Sequence, residues 1–406
     1  MLRKISFLLM LCTLNFLGTA RAQHNKKLKI AYVIDAYQEQ KSGGVVSANR
    51  FMNLFKKKHD LVIVSTEKLH GEGYEKVPGF YFPFAKEKMK KNGMKFGLPN
   101  TKKLESIFKD VDLIYIHFPF YLGLKAIKVA KKMGKAVVVG FHLQPENLLM
   151  NVGVKSKSAA AMMYRMFINK FYNLADMTIC PSYFAEELLL ANKHFNGNTV
   201  VISNGLTPEF RPRPSEPFPE YKDKFVILTV GRLAKEKRHD VIIDAIKKSK
   251  YKDNIKLVVT GNGVLKDQLI EMGKSMSIEP DIGFVEEDRL IRLYNTANLY
   301  IHASDVELEG MSVLEAIGSG CPALISDAVT SASKQFAIED RFLFSSGNGA
   351  QLAEKIDYWY ENREELKEAG AAFARSAEKY YIESSADRMS EIFMRTIAFK
   401  KHQKTG

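Results

Sequence analysis

Cysteine is scarce in this chain: Cys12, Cys180 and Cys321 are the whole set in 406 residues. An odd, sparse set without metal-ligand spacing encodes neither a disulfide framework nor a zinc module, so a reducing compartment is the expectation. Long apolar runs are missing too. The run from Ile5 to Leu17 is shorter than the roughly 20 residues a helix needs to cross a bilayer. No internal repeat or low-complexity segment occurs, which sets aside solenoids and disordered chains. Acidic residues are short in one half only. From Lys26 to Gly205, 28 Lys or Arg face 14 Asp or Glu (+14), whereas from Leu206 onward 29 face 32 (−3) and Arg3, Lys4 and Arg21 add +3. A basic half suits an anionic membrane surface, nucleic acid or a phosphorylated partner, with solubility as the plain alternative.

With 46% hydrophobic and 26% charged residues the chain is globular. Its length exceeds the usual limit of about 250–300 residues for one core, so two domains are expected. Residues 1–25 look like a secretory signal, with Arg3 and Lys4 before the apolar run and Ala20-Arg21-Ala22 after it. The bases that follow, Arg21, Lys26, Lys27 and Lys29, would keep the main body cytoplasmic if the segment stayed uncleaved. A cleaved signal, a shallow anchor and a start codon placed too early all stay open.

Short β-rich runs alternate with helical patterns along the whole chain. Leu28 to Asp35, Leu61 to Ser65, Leu113 to His117, Ala136 to Phe141, Met177 to Pro181 and Thr199 to Ser203 read as strands of a first parallel sheet. A loop with Gly43 and Gly44 leads into a helix from Val45 to Lys57. His117 and His142 fall at strand ends, where such sheets bind ligands; His142, among Gln144, Glu146 and Asn147, is the stronger candidate. Two stretches mix cations with large apolar residues, 84–97 and 159–174, and both suit a membrane surface, although core packing comes first for the second. Five prolines between Pro208 and Pro219 then mark a linker.

The pattern restarts at Val226 to Val230, followed by GRLAKEK, in which Arg232 and Lys237 lie where cations meet a phosphate most easily. Lys256 to Thr260 runs into Gly261-Asn262-Gly263, a second strand-glycine-helix junction of this half. A third follows Leu299 to His302: a loop with Glu307 and Gly310 opens a helix carrying Glu315, whose first N–H groups form a general anion site. The partition expected is 1–25 as signal or anchor, 26–205 as the first domain, 206–224 as linker, 225–383 as the second domain, and 384–406 as an amphipathic tail that could return to the first.

Taken in this order, E-x7-E as Glu307 to Glu315, GRLxxEK as Gly231 to Lys237, Asn204-Gly205 followed by Phe210 to Pro212, the Gly43-Gly44 loop and the strand-end His142 resemble the family 4 retaining glycosyltransferases. That resemblance implies an α/β GT-B fold, two Rossmann-like doubly wound domains facing a cleft. The pieces GFHLQPEN, DVELEGMSVLEAIGSG and SDAVTSASKQFA are most similar to the diacylglycerol α-glycosyltransferase branch. ELEG departs from the family's commoner E, small residue, Phe, Gly, which affects what Leu308 and Glu309 contact.

By resemblance, Arg232 and Lys237 would stabilise the leaving diphosphate. Glu315 would hold the donor ribose; Glu307, with backbone N–H groups at Gly310, Met311 and Ser312, would hold the sugar and phosphates. His142 would sit near the transferred sugar, with Gly44 and Gly261 lining the donor site from either domain. Attack would come from the face the diphosphate leaves, with no enzymatic nucleophile, no metal and no cofactor. The donor expected is a UDP-hexose, the acceptor a membrane lipid, the partner an anionic membrane surface rather than nucleic acid, and the location the inner face of the membrane. A surface polysaccharide or lipopolysaccharide core is the alternative acceptor, and a periplasmic sugar-binding protein the alternative of another class.

Overall fold

A computed structural model of the chain describes residues 27–36, 43–67, 73–83, 86–91, 95–151, 154 and 156–405. Residues 1–25, and parts of the lysine-rich stretch at 84–85 and 92–94, lie outside the described residues.

Two parallel sheets carry the chain. The first runs in the order β3-β2-β1-β6-β7-β8-β9, built from β1 (Lys29–Val33), β2 (Asp60–Ser65), β3 (Tyr74–Lys76), β6 (Leu113–Ile116), β7 (Ala136–Gly140), β8 (Met177–Cys180) and β9 (Thr199–Val201). An antiparallel ribbon of β4 (Gly79–Phe80) and β5 (Phe96–Gly97) sits beside it. The second sheet has the order β12-β11-β10-β13-β14-β15: β10 (Phe225–Val230), β11 (Ile255–Thr260), β12 (Asp281–Gly283), β13 (Leu299–His302), β14 (Ala323–Ser326) and β15 (Leu343–Phe344). Helices cover both faces, so central strands such as AVVVG and LYIH are apolar and buried along their length rather than alternating.

Both orders reverse once, between β1 and β6 in the first sheet and between β10 and β13 in the second. Ligands of doubly wound sheets bind outside the carboxyl ends of the strands at such points. Gly231 follows β10, and the loop with Glu307 follows β13; on the opposite side, His117 follows β6 and His142 closely follows β7.

Local sequence explains much of the framing. Ser156 and Ser182 accept the N–H of Ala159 and Ala185 and so cap the helices that follow. The paired glycines differ from the loop expected of them: Gly43 and Gly44 form the first turn of helix α1 (Gly43–Lys58). Helix α2 (Pro145–Asn151) starts just after His142, and α3 (Lys157–Lys170) buries Ala160, Tyr164, Phe167 and Ile168 while Met162 and Met166 face outward. Helix α4 (Met311–Gly318) follows the Glu307 loop.

The domains are joined twice. Leu206 N–H donates to the Tyr380 carbonyl at 2.7 Å and the Ile382 N–H to the Leu206 carbonyl at 3.0 Å, so the two crossing strands of chain are bonded to each other. Gly205 sits at φ +83° there, and a Cβ would lie 2.6 Å from the Ile382 Cα, so Asn204-Gly205 serves this crossing. Leu206 and Phe210, which fall in the stretch expected to be the linker, are buried in the core of the second domain. Helix α5 (Ile382–Thr405) then lies on the first domain, its Ala386, Met389 and Phe393 packed with Phe51 and Phe55 of α1.

Candidate active site

The carboxyl ends of β10 and β13 carry three charged residues read from two separate motifs, Arg232 and Lys237 from one and Glu307 from the other. Lys237 Nζ pairs with Glu307 Oε1, and His302 Nε2 lies 3.2 Å from the same oxygen. Burial alone would raise the Glu307 carboxyl, but the Lys237 ammonium and His302 hold it well below the usual range. Glu307 is therefore a carboxylate at any working pH. His302 is itself pushed down by burial, against the pull of Glu307. Arg232 is held by Glu236 Oε1 at 2.6 Å and by Asn147 Oδ1 at 3.1 Å, the latter on α2 of the opposite domain. Glu236 is only 1% exposed, so its charge needs this guanidinium. Arg232 therefore spans the two domains.

Backbone geometry explains the glycines. A Cβ on Gly261 would lie 1.8 Å from the Gly231 carbonyl oxygen, so the turns after β11 and β10 touch through bare backbone. Gly310 precedes α4 at φ +99°, and a Cβ there would meet Ser333 Oγ at 2.4 Å. The helix thus starts abruptly, with Met311 and Ser312 in its first turn, where N–H groups lack partners within the helix.

Across the cleft, Gly44 faces the Phe118 ring and His142, whose atoms would lie 3.3 and 3.6 Å from an added Cβ. His117, the weaker candidate of the two histidines, is fully buried and stacks on His142 with ring centroids 4.2 Å apart. Its Nε2–H donates to the Gly44 carbonyl at 2.8 Å, leaving Nδ1 to accept from Tyr32 at 3.3 Å. His117 thereby joins Gly44 to His142, a role that one histidine at a strand end does not advertise. Burial pushes His142 down to about 4. It is neutral at physiological pH, with the Tyr115 hydroxyl 3.2 Å from Nε2.

Glu315 sits on α4, 8% exposed. Its Oε1 accepts from Arg50 of α1 at 2.8 Å, and its Oε2 from the Tyr294 hydroxyl at 3.3 Å. The ELEG departure also has a structural account. Leu308 packs with the core of the first domain, and its carbonyl accepts from Ser182. Glu309 is buried and accepts the Asn204 N–H at 3.0 Å, while Asn204 Oδ1 accepts from Ser47 of α1 at 2.7 Å. These two side chains join the domains.

Among the described residues, no group of three or more His, Cys, Asp or Glu is arranged to hold a metal. The chain's one D-x-D triplet, Asp110-Val111-Asp112, lies at the amino end of β6, away from the cleft, where Asp112 accepts the Lys29 N–H at 2.8 Å.

Both halves of the chain match known families. Residues 42–210 match the family model described as Glycosyltransferase Family 4, and residues 211–376 match Glycosyl transferases group 1. The alpha-monoglucosyldiacylglycerol synthase of Streptococcus pneumoniae is 25% identical over 318 residues, covering 73% of this chain and 70% of that protein. The enzyme of the same name from Acholeplasma laidlawii is 26% identical over 53% of this chain and 58% of its own length. A GDP-mannose-dependent alpha-mannosyltransferase of Mycolicibacterium smegmatis is 23% identical over 74% of this chain and 80% of that protein. Among solved structures, HepE of Anabaena, determined with UDP-glucose, matches with a TM-score of 0.70 at 15% identity over 91% of this chain and 100% of that one, a likeness of fold.

Proposed function

Because the chain belongs to the family 4 glycosyltransferases and has their two-domain GT-B fold, we propose that it moves a hexose from a nucleotide sugar, UDP-hexose first, to a diacylglycerol- or ceramide-like membrane lipid as an α-glycoside. The observation that carries the donor half is the pairing of Lys237 with Glu307 and of Arg232 with Asn147 of the opposite domain, at the switch point of the second sheet. A free sugar has no use for such cations, so the sugar-binding alternative falls with the family assignment.

In this reading Arg232 and Lys237 place positive charge where the diphosphate leaves, held in place beforehand by Glu236, Asn147 and Glu307. The acceptor hydroxyl oxygen bonds to the anomeric carbon as the bond to the diphosphate breaks, on the same face, and the hydroxyl proton passes to the departing phosphate oxygen. Neutral His142 offers a hydrogen bond to the sugar without adding charge. Glu315 and the start of α4 take the ribose and phosphates. The chemistry needs no protein nucleophile.

The lipid half is supported by the names of the relatives and by the first domain's surface. Met162 and Met166 project from α3 beside exposed Arg165 and Lys170, an apolar and cationic face suited to anionic lipid. Attachment in this proposal is peripheral, on the inner face; among the described residues no helix is long and apolar enough to cross a membrane. Incubating the protein with labelled UDP-glucose, UDP-galactose or GDP-mannose and a total lipid extract tests this. Label in the organic phase is expected; transfer only to a soluble glycan would move the acceptor to a surface polysaccharide or lipopolysaccharide core. Binding to anionic vesicles that weakens with salt checks the surface separately.

A further inference from the structure

Glu315 stands out because its partner comes from the other domain. Arg50 reaches from α1 to Glu315 Oε1 at 2.8 Å, with the two side chains 14% and 11% exposed. The guanidinium lies over the Phe210 ring, 5.3 Å from Cζ to the centroid, which limits its rotation. Its other terminal nitrogen, Nη1, is buried and has no partner among the described residues. An ion pair this dry is costly to leave half-made, and a buried guanidinium nitrogen without an acceptor is rare.

A carboxylate has about four acceptor sites. Arg50 and Tyr294 occupy one on each oxygen of Glu315. The remaining pair can take a vicinal diol, one hydroxyl per oxygen. A bare carboxylate there would also repel a diphosphate at the start of the same helix, and a pairing guanidinium cancels that charge. Only the Arg50 fork does both, because Tyr294 is neutral.

We infer that Arg50 is a positioning residue for the donor: it holds the Glu315 carboxylate in the orientation that receives the ribose diol and neutralises it against the neighbouring diphosphate. The donor site is then completed across the cleft, and a ribose is read only when α1 and α4 stand as they do here. This rests on the nucleotide-sugar reading above.

Calorimetric titration of the full chain with UDP, 2′-deoxy-UDP, GDP and 2′-deoxy-GDP tests it, using wild type, Arg50→Lys and Arg50→Met, each checked for fold by circular dichroism. For the base that binds, wild type should prefer the ribose form by roughly 10- to 100-fold, the range expected for one hydrogen bond to a charged group. Arg50→Met should weaken the ribose form until the two differ by about threefold or less, a residue of that preference once the charged bond is lost. Arg50→Lys, which keeps the charge but not the fork, should restore part of the preference. Should Arg50→Met fail to fold, Arg50→Gln carries the same comparison. A folded variant that keeps the full preference, or loses affinity for both forms equally, overturns the inference and leaves Arg50 a domain tie. No binding of any nucleotide to wild type overturns the donor reading itself, and the inference with it.

Discussion

Replacing Glu309 by Gln should make the protein more stable above neutral pH, although it removes an acid that joins the two domains. Glu309 is 3% exposed; it accepts the Asn204 N–H through Oε2, and Oε1 has no partner among the described residues. Burial pushes its carboxyl from the ordinary 4.5 up to about 7, only partly offset by bonds from Ser203 and Asn204. The folded protein therefore keeps this proton to higher pH than the unfolded chain does. The associated stability is complete below about pH 4.5 and is lost as pH rises through 7. At ~1.4 kcal/mol per pH unit, ionising it in place costs about 3 kcal/mol. The amide carbonyl of Gln can still accept the Asn204 N–H, and it never ionises. Glu309→Gln should thus gain up to about 3 kcal/mol over wild type at pH 8 and close to nothing at pH 4.5. In a domain of this size that corresponds to roughly 6–12 °C. Thermal melts of both proteins at pH 4.5, 6, 7 and 8 provide the measurement. Asp35, also buried and pushed up to about 7, leaves a residual slope in both. A variant that melts below wild type at pH 8, or whose difference from wild type is the same at every pH, would mean that Glu309 does not carry this pH-dependent stability.

Lys237→Ala or Arg232→Ala should lower kcat by about 10²–10³-fold, since both act on charge that develops as the diphosphate leaves, and should also lower the melting temperature, since each leaves a buried carboxylate, Glu307 or Glu236, without its cation; steady-state kinetics with the transferred sugar, at a temperature where the variants are folded, provide the check. Gly261→Ala should lower the melting temperature by several degrees and weaken nucleotide binding, because its Cβ would sit 1.8 Å from the Gly231 carbonyl oxygen. His142 should titrate near 4 by NMR, so the rate profile above pH 5.5 should carry no inflection from it; an inflection between 6 and 7 that His142→Asn abolishes would contradict the burial argument.

Much of this molecule is legible in the chain because its information is local. Buried parallel strands read as unbroken apolar runs, and a glycine after a strand marks a close backbone approach; hence β10, β11 and β13 and the positions of Arg232, Lys237, Glu307 and Glu315. The ribbon of β4 and β5 is two residues per strand, too short for any period to register. What the chain conceals is pairing across long separations. Arg50 and Glu315 are 265 residues apart, and Ser47 and Asn204 are 157 apart. On α1, Ser47 and Arg50 look like ordinary polar positions until the second domain is set against them. Glu309 shows the same limit: as a departure from a familiar motif it pointed to altered sugar contacts, but its carboxyl is spent on Asn204. Lys237 and Glu307, read as separate phosphate and sugar ligands, turn out to be each other's counter-ion.

In the proposed reaction this site moves the sugar of a nucleotide sugar to a lipid, with Glu315 holding the donor. Mass spectrometry of total lipids from cells making wild type, Glu315→Ala or neither tests it most directly. One new hexose-bearing lipid series is expected with wild type and none with the folded Glu315→Ala protein. A lipid profile unchanged by wild type, or an equal yield from Glu315→Ala, would contradict it.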